Sequence, residues 1–180
     1  LKNNEITKLF QSGSSKVLFP NSYNKNNELV LINTTGGVTC NDTIHTNIKL
    51  QNSEASISTQ AAEKIYAGIG DSANIDIDII LDNANLYWLP KELILFNNCK
   101  LKRRININLN NNSNLIFCET SIFGRKAMSE KLQNIYFSDI WKINSHKKLQ
   151  HIEAINLNGK IQEVFNNKFA FNKNSSFSTI

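Results

Sequence analysis

The sequence is poor in several features that define large classes of protein. It has only three cysteines in 180 residues, Cys40, Cys99 and Cys118, and they are widely spaced. An odd number without close pairs argues against a disulfide scaffold and fits a reducing cytoplasm. There is no apolar run of about 18 residues, so neither a transmembrane helix nor a membrane partner is expected. The first residues lack a basic cluster followed by an apolar stretch, so no signal peptide is predicted.

The basic residues are in excess, but they are not arranged as in nucleic-acid-binding proteins. The formal net charge is +5. The densest basic run, residues 100–104, opens a strand-like stretch and has no interleaved aromatic side chains on which bases could stack. We therefore expect no nucleic acid partner, and an acidic protein partner explains the charge equally well.

The common signatures of catalysis are missing as well. The paired glycines Gly36 and Gly37 follow an apolar strand, as in phosphate-binding loops, but the lysine and the hydroxyl residue of a P-loop are absent. The sequence has no Gly-x-Ser-x-Gly nucleophile elbow, and its three histidines lie in separate contexts. Nucleophilic catalysis is therefore poorly supported.

Alternation of apolar and polar residues is the feature that recurs along the chain. It is clear in residues 43–50, 74–79 and 104–109, and a period of two is typical of half-buried strands. Polar turns rich in Asn separate these stretches. The pattern predicts an all-β protein made of stacked antiparallel sheets.

Other local patterns complete this prediction. No linker interrupts the chain, so residues 1–180 are expected to form a single domain. Residues 58–66 read either as a capped helix or as a strand running into a loop, and the preceding alternation favours the strand. Residues 127–132 are a possible helical turn. Asn occurs 29 times, for which an A/T-rich genome is the simplest explanation.

Three residues with metal-binding side chains lie close together in the sequence, namely Cys40, Asp42 and His45. Thiolate and imidazole groups suit nickel, copper or zinc. A strand would place Cys40 and Asp42 on one face and His45 on the other, and fewer than three convergent ligands make a poor stable site. We expect a tight turn at Asp42 rather than a tight metal site, and transient handling of a metal ion stays open.

Glu119 lies among apolar residues, in a stretch with Phe117, Cys118 and Ile122. A buried carboxylate needs a partner, or its pKa rises. Arg125 is the candidate partner for a charge-assisted pair. Two interpretations follow: a structural Glu119–Arg125 pair, or a polar group that lines an internal path for water or an ion.

Four sequence blocks, in order, resemble those of the UreD (UreH) urease accessory proteins. The first is a strand running into Asn-Thr-x-Gly-Gly at residues 29–42, and the second is Thr-Gln-x-x-x-Lys-x-Tyr at residues 59–66. The third is Trp-Leu-Pro-x-Glu at residues 88–92, and the fourth is Glu-x-x-x-x-Gly-Arg at residues 119–125. The matching frame covers residues 9–166. The motif residues are Gly36, Gly37, Gln60, Tyr66, Trp88, Pro90, Glu92, Gly124 and Arg125.

The resemblance implies a two-layered β structure that encloses a polar channel. It also implies that the protein is a scaffold and nickel conduit rather than an enzyme. Such proteins bind the urease apoprotein and the accessory protein UreF, which recruits the nickel GTPase UreG. Nickel would pass transiently through the protein during maturation of the urease metallocentre, with no tightly bound cofactor. The candidate residues of the nickel path are Asp42, Glu63 and Glu119, whose oxygen ligands would solvate the ion without trapping it.

The chain departs from the family pattern in three respects, one of which is Ser129, where a glycine is usual before Glu130. Cys40 and Asn41 stand where the family has Gly-Gly, so Cys40 is not carried over as a metal ligand. The chain also ends before the helical C-terminal part that is usual in the family, so a C-terminally truncated fragment is expected.

Two alternatives to a urease maturation scaffold differ in what the isolated chain would do. A hydrolase or lyase using Glu119 and Arg125 would turn over a substrate alone, and Glu119→Gln would abolish that activity. A β-rich carbohydrate- or protein-binding module would show exposed rows of aromatic residues, whereas Tyr87 and Trp88 precede Leu89 and Pro90 as in a packed turn. Without the resemblance, the residues indicate only a soluble all-β domain.

Overall fold

The computed structural model describes residues 1–20, 27–125, 128, 130 and 132–180. Part of the possible helical turn at residues 127–132 lies outside these residues. Within the described ranges the chain is almost entirely β-structure. Its elements are β1 (Ser15–Leu18), β2 (Asn27–Asn33), β3 (Thr43–Gln51), β4 (Glu54–Thr59), β5 (Glu63–Ile65), β6 (Ala73–Asp82), β7 (Asn85–Trp88), β8 (Leu93–Leu95), β9 (Lys100–Asn110), β10 (Asn114–Phe117), β11 (Glu119–Phe123), β12 (Asn134–Ser145), β13 (Lys148–Lys160), the short helix α1 (Gln162–Asn166) and β14 (Ser176–Thr179).

The strands of the described ranges form three sheets, and the chain visits the sheets in turn. The first sheet has the order β13-β12-β9-β6-β3, the second β1-β2-β4-β7-β10, and the third β14-β11-β8-β5. Strands β3, β4 and β5 form one coil of the chain, β6, β7 and β8 form the next, and β9, β10 and β11 form a third. Each strand therefore pairs with its counterpart one coil away, rather than with its neighbour in the sequence.

This arrangement confirms the all-β prediction with stacked sheets and corrects its details. Three sheets surround the interior, where two layers were expected. Most pairs are parallel, as in β3–β6, β6–β9 and β9–β12, so the antiparallel prediction is wrong for them. The exceptions are β1–β2, β11–β14 and β12–β13. The polar turns resemble hairpin turns in composition, but most of them pass the chain from one sheet to the next.

Asparagine has a structural use at these turns. Asn52, Asn83 and Asn111 follow β3, β6 and β9 respectively, each with a positive φ near 50° (47°, 49° and 51°). Asn tolerates this left-handed conformation better than most residues. The Asn83 side-chain amide donates to Oδ1 of Asn52 at 2.9 Å, and that of Asn52 donates to Oδ1 of Asn3 at 3.2 Å. Stacked side-chain amides therefore link successive coils at one corner.

The core fills the space between the sheets with aliphatic and aromatic side chains. Alternate residues of β6 and β9 are buried, which confirms the predicted alternation. Leu50, Ile57 and Ile65 come from the three sheets of the first coil and are at most 1% exposed. Burial of such a side chain stabilises the fold by about 1.5–3 kcal/mol.

The region 58–66 forms the end of β4 and all of β5, as predicted. None of the helices in the described part of the chain is long and apolar enough to cross a membrane.

Candidate functional site

A cavity of about 210 Å³ lies where the inner faces of the three sheets meet. Ile75 of the first sheet, Trp88 of the second and Leu93 of the third contribute to its wall. Two acidic residues, Glu63 and Glu119, also line it. Since one water molecule occupies about 30 Å³ in the liquid, the cavity has room for several water molecules. Exposed residues such as Lys16, Gln60 and Lys91 also line it, so the cavity is a partly polar pocket that reaches from the surface into the apolar core.

Glu119 belongs to a buried ionic network with Arg103 and Asp139. Nη1 of Arg103 lies 2.5 Å from Oε2 of Glu119. Nε and Nη2 of Arg103 donate to Oδ1 and Oδ2 of Asp139 at 2.9 and 2.5 Å. The three residues are 6%, 6% and 4% exposed in the order Arg103, Glu119, Asp139. This planar, two-sided contact is the geometry for which a guanidinium is suited and an ammonium is not.

The network contains two carboxylates for one cation. Burial alone would lower the pKa of the Arg103 guanidinium, but the charges of Glu119 and Asp139 outweigh burial and hold that pKa above its ordinary value. Arg103 therefore stays charged, and one carboxylate in the interior is left without a full counter-charge. A buried charge without a full counter-charge is costly.

Aromatic side chains fix the network in place. The Trp88 indole Nε1 donates to Oε1 of Glu119 at 2.8 Å, so both oxygens of this carboxylate are engaged. The Phe117 ring stacks on Trp88 and meets Trp141 edge-on, with centroid distances of 6.2 and 4.0 Å. Cζ of Arg103 lies 5.8 Å from the Trp141 ring centroid. The orientation of Glu119 is thus set by two donors on rigid strands.

Glu63 is the second acidic residue of the cavity and is half-buried. The side-chain amide of Asn33 donates to its Oε1 at 3.0 Å and also contacts the carbonyl oxygen of Gly37 at 3.3 Å. Burial raises the pKa of Glu63, and the hydrogen bonds from Asn33 and from the Lys64 backbone offset part of this rise. The carboxyl is therefore closer to protonation than one in water.

Arg125 does not pair with Glu119, so the prediction of a structural Glu119–Arg125 pair is wrong. The guanidinium of Arg125 lies 3.1 Å from Oε1 of Glu130 and stacks 4.4 Å from the Phe96 ring centroid. The turn at Gly124, with φ of 77°, carries the chain out of β11 before Arg125 is reached. The pair on which the hydrolase alternative depended is not formed.

Cys40, Asp42 and His45 do not converge. Oδ2 of Asp42 accepts a hydrogen bond from the Thr39 amide at 2.8 Å, and the Asp42 amide donates to the Thr39 carbonyl at 3.1 Å, which confirms the predicted tight turn. Cys40 is buried, and His45 lies on the outer face with Nδ1 3.5 Å from Asp76. Across the part of the chain that the structure describes, no three His, Cys, Asp or Glu side chains are grouped as metal ligands.

Comparison with known proteins identifies the family. The family model described as UreD urease accessory protein matches residues 2–180. The chain belongs to the UreD urease accessory protein family. It is 40% identical over 156 residues to the urease accessory protein UreD of Rhodopseudomonas palustris (strain BisB5), covering 86% of this chain and 55% of that protein. It is 32% identical over 177 residues to UreD of Rhizobium rhizogenes, covering 97% and 65%. The chain thus spans between half and two thirds of the length of these relatives.

The sequence blocks shared with UreD proteins meet at the cavity. Four motif residues and two of the candidate path residues line it, namely Gly36, Gln60, Trp88, Pro90, Glu63 and Glu119. The remaining motif residues lie elsewhere, namely Gly37, Tyr66, Glu92, Gly124 and Arg125. Asp42 is not among the lining residues. The UreD blocks are far apart in sequence, and the coiled chain brings residues of all four blocks to one cavity.

The UreD motif residues outside the cavity build its supporting corner. A Cβ atom at Gly37 would lie 2.4 Å from the Tyr66 ring, so this contact requires glycine. Tyr66 packs edge-on against Phe96 with a centroid distance of 4.9 Å, on the ring that also carries Arg125. The Glu92 carbonyl accepts a hydrogen bond from the Glu63 amide at 2.9 Å. These contacts hold β5, and with it Glu63, against β8.

Two residues of the buried network, Arg103 and Asp139, were not found by sequence reasoning. The signal was present: Arg103 alternates with Leu101 and Ile105 on the buried face of β9. Asp139 likewise alternates with Phe137 on the buried face of β12. A charged residue at an inward position of an amphipathic strand needs a partner of opposite charge. Here Arg103 and Asp139 are partners of each other.

Proposed function

We propose that this chain acts as a urease accessory protein, as a scaffold and nickel conduit that is needed to insert nickel into the urease active site. Membership of the UreD family supports this proposal, since the relatives carry the name urease accessory protein. On this proposal the chain is not an enzyme. Its contribution is to hold partners and to pass a metal ion between them in the cytoplasm.

The observation that carries the conduit proposal is the cavity with Glu63 and Glu119 in its wall. Nickel prefers nitrogen and sulfur ligands to oxygen ligands, so carboxylates would attract the ion without trapping it. The excess carboxylate of the Arg103 network adds to this attraction. Asp42 stays a predicted path residue outside the cavity, and the proposal rests on the other two.

The proposed partners are the urease apoprotein, the accessory protein UreF and, through UreF, the nickel GTPase UreG. No cofactor is proposed to be held tightly. Nickel is the proposed transported ion and is bound only in passing.

The scaffold part of the proposal is tested by co-expression. The tagged chain would be produced with the urease subunits from the same genome and purified through its tag. We expect apo-urease to co-purify. A folded, soluble chain that captures no urease would contradict the scaffold proposal for residues 1–180.

The conduit part is tested by Glu119→Gln in the same system, with the nickel content and activity of the urease as the readout. Glutamine keeps the size of the side chain and the acceptor for Trp88, but it removes the charge. We expect nickel loading to fall by about tenfold, which corresponds to about 1.4 kcal/mol. Glu163→Gln, at an exposed position of α1, is the matched control. Equal loading with both variants would remove Glu119 from the route.

A further inference from the structure

Arg103 stands between two openings of the interior. The cavity described above is lined by Arg103 and Glu119. A second, narrow cleft is lined by the same two residues and by Asp139, Glu153 and Thr179. This cleft has no room for a water molecule, yet the Glu153 side chain is 32% exposed. The path from the cavity toward that surface is therefore interrupted at Arg103.

The guanidinium holds the oxygens that a travelling cation would need. Oε2 of Glu119 and both oxygens of Asp139 contact it. A divalent cation that moved from the cavity into the cleft would meet these carboxylates and would compete with the guanidinium for them. The side chain and the ion cannot both occupy the space between Glu119 and Asp139.

We propose that Arg103 is the gate of this internal route: it fills the position between Glu119 and Asp139 and must leave it before a divalent cation can pass. This inference rests on the proposed conduit function. It assigns Arg103 a positioning role and adds Asp139 and Glu153 as carboxylates on the far side of the gate.

The surroundings allow Arg103 to move while Glu119 stays. Trp88 holds the other oxygen of Glu119, so this carboxylate keeps its orientation when the guanidinium leaves. The Trp141 ring centroid already lies 5.8 Å from Cζ of Arg103 while the guanidinium pairs with the carboxylates. This ring therefore stays a favourable neighbour of the cation when an incoming ion competes for the carboxylates.

The decisive experiment measures nickel binding by the purified full chain, with Ni²⁺ alone as the probe and equilibrium dialysis as the method. Removal of the guanidinium in Arg103→Gln leaves Glu119 and Asp139 free for the ion. We expect this variant to bind Ni²⁺ about tenfold more tightly than the wild type, because its competitor for the carboxylates is gone. Arg104→Gln, at the next position on the outer face, is the matched control and should match the wild type. Equal affinity in all three proteins would overturn the gate.

A second variant covers the case in which Arg103→Gln does not fold. Arg103→Lys keeps a positive charge beside both carboxylates but loses the planar fork. We expect it to stay folded by circular dichroism and to bind Ni²⁺ more tightly than the wild type. Both tryptophans of the chain, Trp88 and Trp141, adjoin the network, so their fluorescence should be quenched at lower Ni²⁺ concentration in this variant. Unchanged affinity and quenching would overturn the proposal.

Failure of the gate and failure of the conduit give different results. If Glu119→Gln lowers the nickel loading of urease but the Arg103 variants bind Ni²⁺ with wild-type affinity, the conduit proposal is supported and the gate proposal is overturned. Tighter Ni²⁺ binding by the Arg103 variants together with normal loading by Glu119→Gln would remove Glu119 from the route, and would thereby overturn the role of Arg103 as its gate.

Discussion

Arg103 and Arg104 are neighbours on β9, and each pairs with an aspartate of an adjacent strand. Arg103 points inward and is 6% exposed, where it joins Asp139 and Glu119. Arg104 points outward, with a side chain 67% exposed, and its Nε lies 2.7 Å from Oδ1 of Asp76. Arg103 binds Asp139 through two nitrogens, whereas Arg104 contacts Asp76 through Nε alone. The two pairs also differ in solvent: water screens the outer pair, while the inner pair sits in the wall of a cavity. One step along a strand therefore separates a surface ion pair from a buried ionic network.

The largest difference in stability between the two pairs is expected when each arginine is replaced by glutamine. Arg103→Gln leaves two carboxylates buried without their cation, and we expect it to lower the free energy of unfolding by about 3–5 kcal/mol. Arg104→Gln should be indistinguishable from the wild type, since exposed ion pairs contribute little. Urea denaturation followed by tryptophan fluorescence measures both. Losses of equal size would show that the inner pair is no more important to stability than the outer one.

Replacing the two aspartates by asparagine tests the same difference in stability, with a smaller expected effect. Asp139→Asn removes the bidentate partner, but Arg103 keeps Glu119, so the expected loss is about 2–3 kcal/mol. Asp76→Asn on the outer face is the control and should cost much less. The measurement is again the midpoint of urea unfolding. A larger loss of stability with Asp76→Asn than with Asp139→Asn would contradict the conclusion that the buried network contributes more to stability than the outer pair.

Trp88→Phe tests how firmly Glu119 is held. Phenylalanine keeps a ring in the core but removes the donor to Oε1 of Glu119. We expect a loss of about 1–2 kcal/mol in unfolding free energy, the cost of one unsatisfied buried acceptor. Tyr87→Phe, at the more exposed preceding position, serves as the control. No difference between the two variants would show that the indole hydrogen bond is dispensable.

The smallest effect on stability is expected at Glu63. Here the stability of Glu63→Gln is compared with that of the wild type at different pH values. Burial raises the pKa of Glu63, so its contribution to stability is complete below the ordinary pKa of 4.5 and is lost as the pH rises through the raised value. Glu63→Gln cannot ionise. Its stability relative to the wild type should therefore be greater at neutral pH than below pH 4.5, as measured by thermal unfolding. A difference that does not change with pH would contradict the raised pKa.

The strands were predictable from the sequence, but their partners were not. Alternation in residues 43–50 and 104–109 identifies β3 and β9 because burial of one face leaves a period of two. It carries no information on the direction of the neighbouring strand. The coils also differ in length, so they escape notice as a repeat. What they share is an Asn in the left-handed conformation after β3, β6 and β9, followed closely by Ser or Ala and another strand.

The candidate site was predictable in part for the same reason. Glu119 was identified because an acidic residue interrupts an apolar strand, which a single stretch of sequence can show. Its partner was assigned to the nearest downstream cation, Arg125, whereas the true partner, Arg103, lies on a different sheet. Pairing across the interior depends on which sheets face one another, and this is decided by the path of the coils.

The stacking of parallel strands has a consequence for ion movement. Glu63 lies on β5 and Glu119 on β11, with β8 between them. Since neighbouring strands are about 4.8 Å apart, β5 and β11 are about 10 Å apart along the stack. Leu93 of β8 is in register with Glu63 and with Ser121, and Glu119 lies two residues before Ser121 on β11. On the proposed conduit function, the distance between successive oxygen ligands would therefore be set by strand spacing and register, and the sequence decides only which positions carry a carboxylate.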